Sequence, residues 1–373
     1  MQYNKLCSYI NKQQNSCMED KIVKKTAPKR KPDTTRIILI ILCIFLALVL
    51  AFLILVAIGQ RYLGMISHDV DNSTMSPDEY QQFLDSQEPP TGSGETIDPD
   101  DIVWTEPVIE PSAEAINILL IGQDRRAGQD RQRSDAMILC TINTKTKTVT
   151  LTSFMRDLYV QIPGYSPNKM NSCYQIGGMA LLDACVETNF GVQVDGCVEV
   201  DFSGFMKLVD LMGGVDITLT QAEANYLNRR GDWDYNDASA GTWSLTEGVN
   251  HLTGEQAFAY SRIRYIGDGD FERTERQRKV ITALLQQCKD LSIPQLNELL
   301  ENALPLLTTD LTNKEILGYA AKVFAILPDL QIQSQRIPAD NTWTYAVISD
   351  LDVVRITDME TNLEMLRKAM EID

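Results

Sequence analysis

The stretch INILLIGQDRRAGQDRQRSDAMILCTIN, residues 116–143, carries both the fold signal and the chemistry. Its two apolar runs, 116–121 and 137–142, read as buried strands. Between them a polar loop holds four arginines, Arg125, Arg126, Arg131 and Arg133, and the carboxylates Asp124, Asp130 and Asp135. Guanidiniums crowded into one loop repel unless an anion joins them, and their forks match phosphate oxygens in a bidentate way. Asp124 and Asp135 flank the loop, where a hard divalent cation can sit between carboxylates and phosphate. The plain alternative is a solvated surface loop with internal ion pairs.

Outward from this stretch the pattern alternates between strand and helix. Residues 147–154 alternate Val149, Leu151 and Ser153 after a polar turn at 143–146, which predicts a hairpin with 137–142. Helices are expected over 177–189 (ended by Gly191), 202–212 (closed by Gly213 and Gly214), 253–262, 272–289, 294–306, 313–326 and 360–371. Strands are expected at 197–201, 215–219, 331–337 and 345–348, and an aromatic loop at 229–244 holds Trp233, Tyr235 and Trp243. This interleaving predicts a single α/β domain over 115–371, with a mixed central sheet and helices on both faces.

The N-terminal part is of another kind. The formal net charge of the 373-residue chain is −17, yet residues 1–36 are basic. Residues 37–58 are apolar and uncharged; about 22 residues at ~1.5 Å each span ~33 Å, enough to cross a bilayer. The run is too long for a secretory signal core and has no small-residue cleavage site after it, so it reads as an uncleaved anchor. The basic flank places 1–36 in the cytoplasm and the rest outside the cell. Residues 59–114 then read as an acidic, flexible linker, with a short helix near 76–84. The acidic exterior argues against nucleic acid as a partner.

Two histidines, His68 and His251, and no CxxC spacing among the eight cysteines argue against zinc and against histidine triads. Cys140, Cys197 and Cys288 sit in apolar patterns and read as core residues. Cys173 can pair with Cys185 or Cys197 outside the cell, and the odd exterior count leaves the pairing open.

A second cationic cluster, RIRYIGDGDFERTERQR, holds Arg262, Arg264, Arg273, Arg276 and Arg278. Helical spacing places Arg273 with Gln277, Val280, Ile281, Leu284 and Cys288, so Arg273 points toward the core or a pocket. Arg276 falls at the flank of that stripe, and Arg278 on the other face, in solvent. An inward guanidinium must be paired, either with a structural carboxylate such as Asp268 or Asp270 or with a bound phosphate. Arg156, after the third predicted strand, and Lys169 can join the same pocket. Cations, carboxylates and no histidine together suggest phosphoryl chemistry run by electrostatics.

The stretches NILLIGQDRR, RSDAMILCTIN, TKTVTLTSFMRDLYV, VEVDFSGFMKLVDLMGGVDI and GEQAFAYSRIRYIGDGDFERTERQRKVI occur in order. Together they resemble the LytR-CpsA-Psr family of membrane-anchored cell-wall enzymes of Gram-positive bacteria, over about 115–370. The resemblance implies transfer of a glycopolymer, such as teichoic acid or capsule, from a polyprenyl-pyrophosphate carrier to peptidoglycan. It implies that Asp124 and Asp135 hold magnesium, with manganese as an alternative. It implies that Arg125, Arg133, Arg156, Arg262, Arg264 and Arg273 grip the phosphates, with Arg276 and Gln277 completing the motif; Lys169 joins the phosphate-binding group on the residue reading above. Asp270 is the implied base for the acceptor hydroxyl, with Arg156 and Arg273 beside it in the reaction. An unperturbed aspartate is a weak base at ~3.9, so burial is expected to raise it. The family's carrier tail lies in an apolar tunnel between sheet and helices. Met155 stands where the family often has proline. Two other functions fit the same residues: hydrolysis of the pyrophosphate lipid, and lipid binding or regulation without turnover.

Overall fold

A computed structural model describes residues 59–371, except 60, 69, 93, 124–130, 230–242 and 268. The expected tail 1–36 and anchor 37–58 lie outside the described residues, as do Asp124, Arg125 and Arg126, and Trp233 and Tyr235 of the aromatic loop. Among the described residues no helix is long and apolar enough to cross a membrane.

The quoted stretch forms the centre of a six-stranded sheet. In chain order its strands are β2 (Ala115–Gln123), β3 (Ser134–Asn143), β4 (Thr148–Phe154), β7 (Gly196–Asp201), β10 (Leu307–Thr309) and β11 (Gln331–Ile337), arranged β10-β7-β2-β3-β4-β11. The predicted hairpin is β3–β4; β2 runs antiparallel to β3 but parallel to β7, and β4 is parallel to β11, so the sheet is mixed. Side chains alternate across it. Leu119, Ile121, Met137 and Leu139 face one core, while Ile138, Val149 and Leu151 face another.

The first core is covered by α2 (Met170–Phe190) and α9 (Met359–Met370). The opposite face is covered by α8 (Asn313–Ile326) and by Ile281 and Leu285 of α6 (Asp270–Cys288). A third core joins α6 to α3 (Phe202–Leu211), α4 (Gln221–Asn228), α5 (Gly254–Ser261) and the hairpin β8–β9 (Val215–Leu219, Gly248–Leu252). Local signals explain the helix starts. Asp201 accepts the Gly204 N–H at 2.7 Å, and Thr220–Glu223, Thr253–Gln256 and Thr312–Glu315 are reciprocal capping boxes. Helix α7 (Ile293–Ala303) follows α6.

The structure departs from expectation in several places. Helix α4, strand β9, the short β5 (Tyr159–Val160) and β6 (Asn168–Lys169), and β13 (Leu351–Ile356) had no periodic signal of their own; β13 pairs with β12 (Trp343–Ile348) in a separate small sheet. Helix α2 starts earlier than expected and is broken at Gly177 and Gly178. The carbonyls freed there are occupied: Met75 N donates to Ile176 O at 3.0 Å, and Arg131 donates to the carbonyls of Gln175 and Ile176.

That break anchors the acidic segment expected as a flexible linker. Helix α1 (Pro77–Asp85) docks Phe83 into the main core, Ile109 is buried, and β1 (Glu95–Thr96) pairs with β12. Arg131 holds the segment further, donating to Asp71 O and Ser73 O at 2.6 Å each. The segment is too polar to order itself, but here it lies on a surface that supplies the apolar partners.

Arg278, expected in solvent, is buried and donates to Ser334 Oγ of β11 at 2.7 Å. The far side of α6 packs on the sheet edge, which spacing along one helix does not reveal. No disulfide forms among the described residues: Cys140, Cys173, Cys185, Cys197 and Cys288 are free thiols.

Candidate functional site

The site lies where β3, β4 and α6 meet. Gly122 pairs with Ala136 and Gln123 with Ser134, so Asp135 is one residue too many on β3. A bulge of this kind bends the strand and re-aims a side chain. Asp135 accordingly reaches Arg156, which follows β4, at 3.3 Å. On the other side the turn before α6 carries Gly267 and Gly269 at φ of 70° and 59°, a conformation that favours glycine. It sets Asp270 as the first residue of α6.

Arg156 is the hub. Its guanidinium contacts Asp135 and Asp270 at 3.3 Å each and Asp157 at 3.2 Å. Burial opposes its charge, but Asp157, Asp270 and Asp135 outweigh that and hold its proton more tightly than usual. Arg273 pairs with Asp270 at 3.1 Å, Arg264 lies 3.5 Å from Asp270 and 3.8 Å from Asp135, and Lys169 lies 3.4 Å from Asp157. Arg133 sits over the Phe83 ring and donates to Gln87 and Gln175; burial and then Arg156 lower its pKa. Five cationic side chains thus face three carboxylates, an excess of positive charge in a partly buried place.

Arg273 is 2% exposed, and its Nε has no hydrogen-bond partner among the described residues. Burial, with Arg156 adding to it, pushes its guanidinium down to about 10, still charged at neutral pH. Asp270 goes against expectation. Burial pushes its carboxyl up, but Arg273, Arg156 and Arg264 prevail and hold it below the usual carboxylate value. The sequence identifies the buried aspartate but not how many guanidiniums converge on it.

The cluster borders an apolar cavity of about 450 Å³. Sheet residues such as Leu120 and Val198 form one wall, and Phe205, Phe258, Ile281 and Leu300 of the covering helices form others. Its polar lining includes Asp135, Arg262, Arg264, Arg273 and Gln277. Arg262 is exposed and stacks on Phe202 and Phe258 at 5.2 and 5.3 Å. The arrangement suits an amphipathic ligand with an anionic head and a long apolar tail.

Besides Arg278, two arginines of the sequence clusters do other work. Arg276, expected among the phosphate ligands, is buried away from the cavity. It donates to Glu223 at 2.7 Å, Glu272 at 2.6 Å and the carbonyls of Ile263 and Ile266. Its neighbours saturate it: three residues on from Arg273 the side chain is turned by only ~60° around the helix axis, and that flank faces Glu223 and the carbonyls before α6. Arg131 is spent on the N-terminal segment described above. The bulge at Asp135 had no sequence signal, since bulges depend on pairing register.

The family model LytR_cpsA_psr family matches residues 84–365. Its start falls inside the docked acidic segment. The polyisoprenyl-teichoic acid–peptidoglycan teichoic acid transferase TagU of Bacillus cereus is 35% identical over 185 residues, 49% of this chain and 56% of that protein. The alignment thus spans little more than half of that relative's length. The TagU of Enterococcus faecalis is 31% identical over 256 residues, 65% of this chain and 78% of that protein. The solved structure of TagT bound to LI-WTA superposes with a TM-score of 0.57 at 25% identity, covering 72% of this chain and 96% of that one. With the arginine-lined cavity, the mixed sheet and the matched family model in agreement, the chain belongs to the LytR_cpsA_psr family.

Proposed function

We propose that the chain is a phosphotransferase that moves a glycopolymer from a polyprenyl-pyrophosphate carrier to peptidoglycan. One observation carries this reading: a surplus of guanidinium groups borders an apolar cavity, complementary at once to a diphosphate and to a polyprenyl tail. The names of the TagU and TagT relatives point to the same acceptor and polymer class. We further propose that 37–58 anchors the chain in the cell membrane, with 1–36 cytoplasmic and the catalytic domain outside.

The acceptor hydroxyl oxygen attacks the phosphorus that bears the glycan. A phosphodiester forms there, the P–O bond to the bridging oxygen breaks, and polyprenyl phosphate leaves. The hydroxyl proton passes to Asp270. Arg156, Arg264 and Arg273 spread the charge that grows on the phosphate oxygens, the main catalytic need of such a transfer. Asp270 alone, surrounded by three arginines, is a poor base. A bound diphosphate competes for those guanidiniums, weakens their hold on Asp270 and raises its basicity when substrate is present.

Among the described residues no group of three or more carboxylate, histidine or cysteine side chains could hold an ion alone. Magnesium needs no such group: it keeps waters and binds through one or two carboxylates plus substrate phosphates. Asp135, aimed by its bulge at the cavity lining, fits that need; Asp124, the second ligand that the family resemblance implies, lies outside the described residues. When bound, the ion would neutralise diphosphate charge.

The test is polymer transfer from a lipid-linked donor to peptidoglycan. Arg156→Ala and Asp135→Ala should each abolish the linked product; no product from the wild type refutes the reading. Free glycan phosphate in place of linked polymer would identify a hydrolase. Tight lipid binding with neither product would identify a non-catalytic binding protein. Chelation followed by magnesium or manganese add-back tests the metal, and lipid retention read by mass spectrometry gives a readout independent of turnover.

A further inference from the structure

We propose that a second pocket, beside Asp270, is the subsite for a pyranose ring of the acceptor glycan; this rests on the transferase reading. The pocket measures about 470 Å³, within the range of small-ligand sites. It is lined by Asp270, Phe271, Arg336, Asp340, Trp343 and Tyr345. Asp270 lines this pocket and not the apolar cavity, whereas Asp135, Arg264 and Arg273 line the cavity and not this pocket. The carboxylate that accepts the proton therefore faces a compartment distinct from the one suited to the lipid tail.

The lining has the chemistry of a sugar site. Trp343 stacks on Phe271 with centroids 4.2 Å apart and planes 25° apart. Tyr345, two residues on along β12 and so on the same strand face, meets Trp343 edge to face at 5.0 Å. Tyr345 is 47% exposed, a large ring presented to solvent at a pocket rim. The apolar C–H face of a pyranose packs on such rings, and its hydroxyls need a few fixed polar groups. Arg336 and Asp340 supply them. The Arg336 guanidinium lies 4.5 Å over Phe271, donates to Pro338 O at 3.0 Å and pairs with Asp340.

The sequence ties this platform to the reaction. Phe271 follows Asp270 at the start of α6, so the ring on which Trp343 stacks and the carboxylate are adjacent residues of one helix. In-line displacement requires the attacking oxygen to enter opposite the leaving group. With polyprenyl phosphate leaving toward the apolar cavity, an acceptor hydroxyl entering from the aromatic pocket meets Asp270 on its way. A donor sugar in this pocket would instead exclude the nucleophile from its base.

The test uses the full chain and a soluble, uncross-linked peptidoglycan oligosaccharide, with binding read by saturation-transfer NMR and transfer by acceptor and donor KM. Tyr345→Ala, at an exposed position, should weaken oligosaccharide binding and raise acceptor KM on the order of tenfold, while Tyr345→Phe retains both. Donor KM should not move. No oligosaccharide binding by the wild type, or wild-type binding by Tyr345→Ala, overturns the proposal. A rise in donor KM alone also overturns it and assigns the pocket to the donor glycan. Binding that Tyr345→Ala abolishes in a chain without transfer supports the subsite while refuting the transferase reading. Transfer whose acceptor KM ignores Tyr345 refutes the subsite alone.

Discussion

Arg156 is the side chain whose removal tests the most. It bridges Asp135, Asp157 and Asp270 at 3.2–3.3 Å and is 21% exposed. At an effective dielectric of ~20, each unit-charge contact at that distance is worth ~5 kcal/mol before desolvation. Solvent access and the desolvation of four charged groups cancel much of it, so Arg156→Met should cost at most ~3–5 kcal/mol of stability. The effect on turnover is of similar size in free energy. Removing one preorganised donor to a developing charge costs ~10²–10³ in rate. Arg156→Lys keeps the charge but cannot reach three carboxylates at once, and should fall between wild type and Arg156→Met. The assay is the initial rate of linked polymer, with a thermal melt to show that each variant is folded at the assay temperature. A folded Arg156→Met enzyme working within about threefold of wild type would refute the electrostatic reasoning, since that is far less than one lost donor should cost.

Three further outcomes follow from the same geometry. The acidic limb of kcat should lie at higher pH than that of kcat/KM, because Asp270 is held low by arginines in the free enzyme and released as diphosphate engages them; coincident limbs contradict this. Arg276→Met should leave Glu223 buried without its partner and lower stability by ~3–5 kcal/mol, read as a lower urea midpoint. Glu223 is held below its usual value although burial opposes this, because Thr220 and Arg276 outweigh it; its contribution is present above the ordinary carboxylate value and is lost as pH falls through the folded one. Asp183 is pushed up to about 6, first by burial and then by Glu187, Asp310 and Asp195. Its ionisation therefore costs stability as pH rises through that range, and Asp183→Asn should stabilise by ~1–3 kcal/mol at pH 8 but little at pH 4.

Strand and helix identity in the matched domain was readable because it rests on local periodicity. The runs at 116–121 and 137–142 became central strands, and 313–326 and 331–337 match α8 and β11. Short elements that depend on partners were not readable. Neither β9 nor β13 carries enough alternation to stand out, and each exists because a neighbouring strand completes its hydrogen bonds. The acidic segment 59–114 has the composition of a free chain, yet Arg131, Met75 and Phe83 fasten much of it to the broken helix α2 and the core beside it.

For the candidate site, the residue types were visible and their allegiance was not. Sequence spacing turns Arg273 inward, and the clusters at 122–135 and 262–278 carry more guanidinium than local carboxylates need. Charge and helical period are properties of the chain itself, so they can be read before folding. Which arginines stay available is a three-body question. Arg276 is consumed by Glu223, 53 residues away, and Arg131 by Asp71 and Ser73, whereas Arg156, Arg264 and Arg273 converge on Asp135 and Asp270. The low proton affinity of Asp270, the bulge that aims Asp135 and the aromatic pocket beside α6 also arise only when distant segments meet. An electrostatic environment is a sum over space, and the order of residues along the chain does not contain that sum.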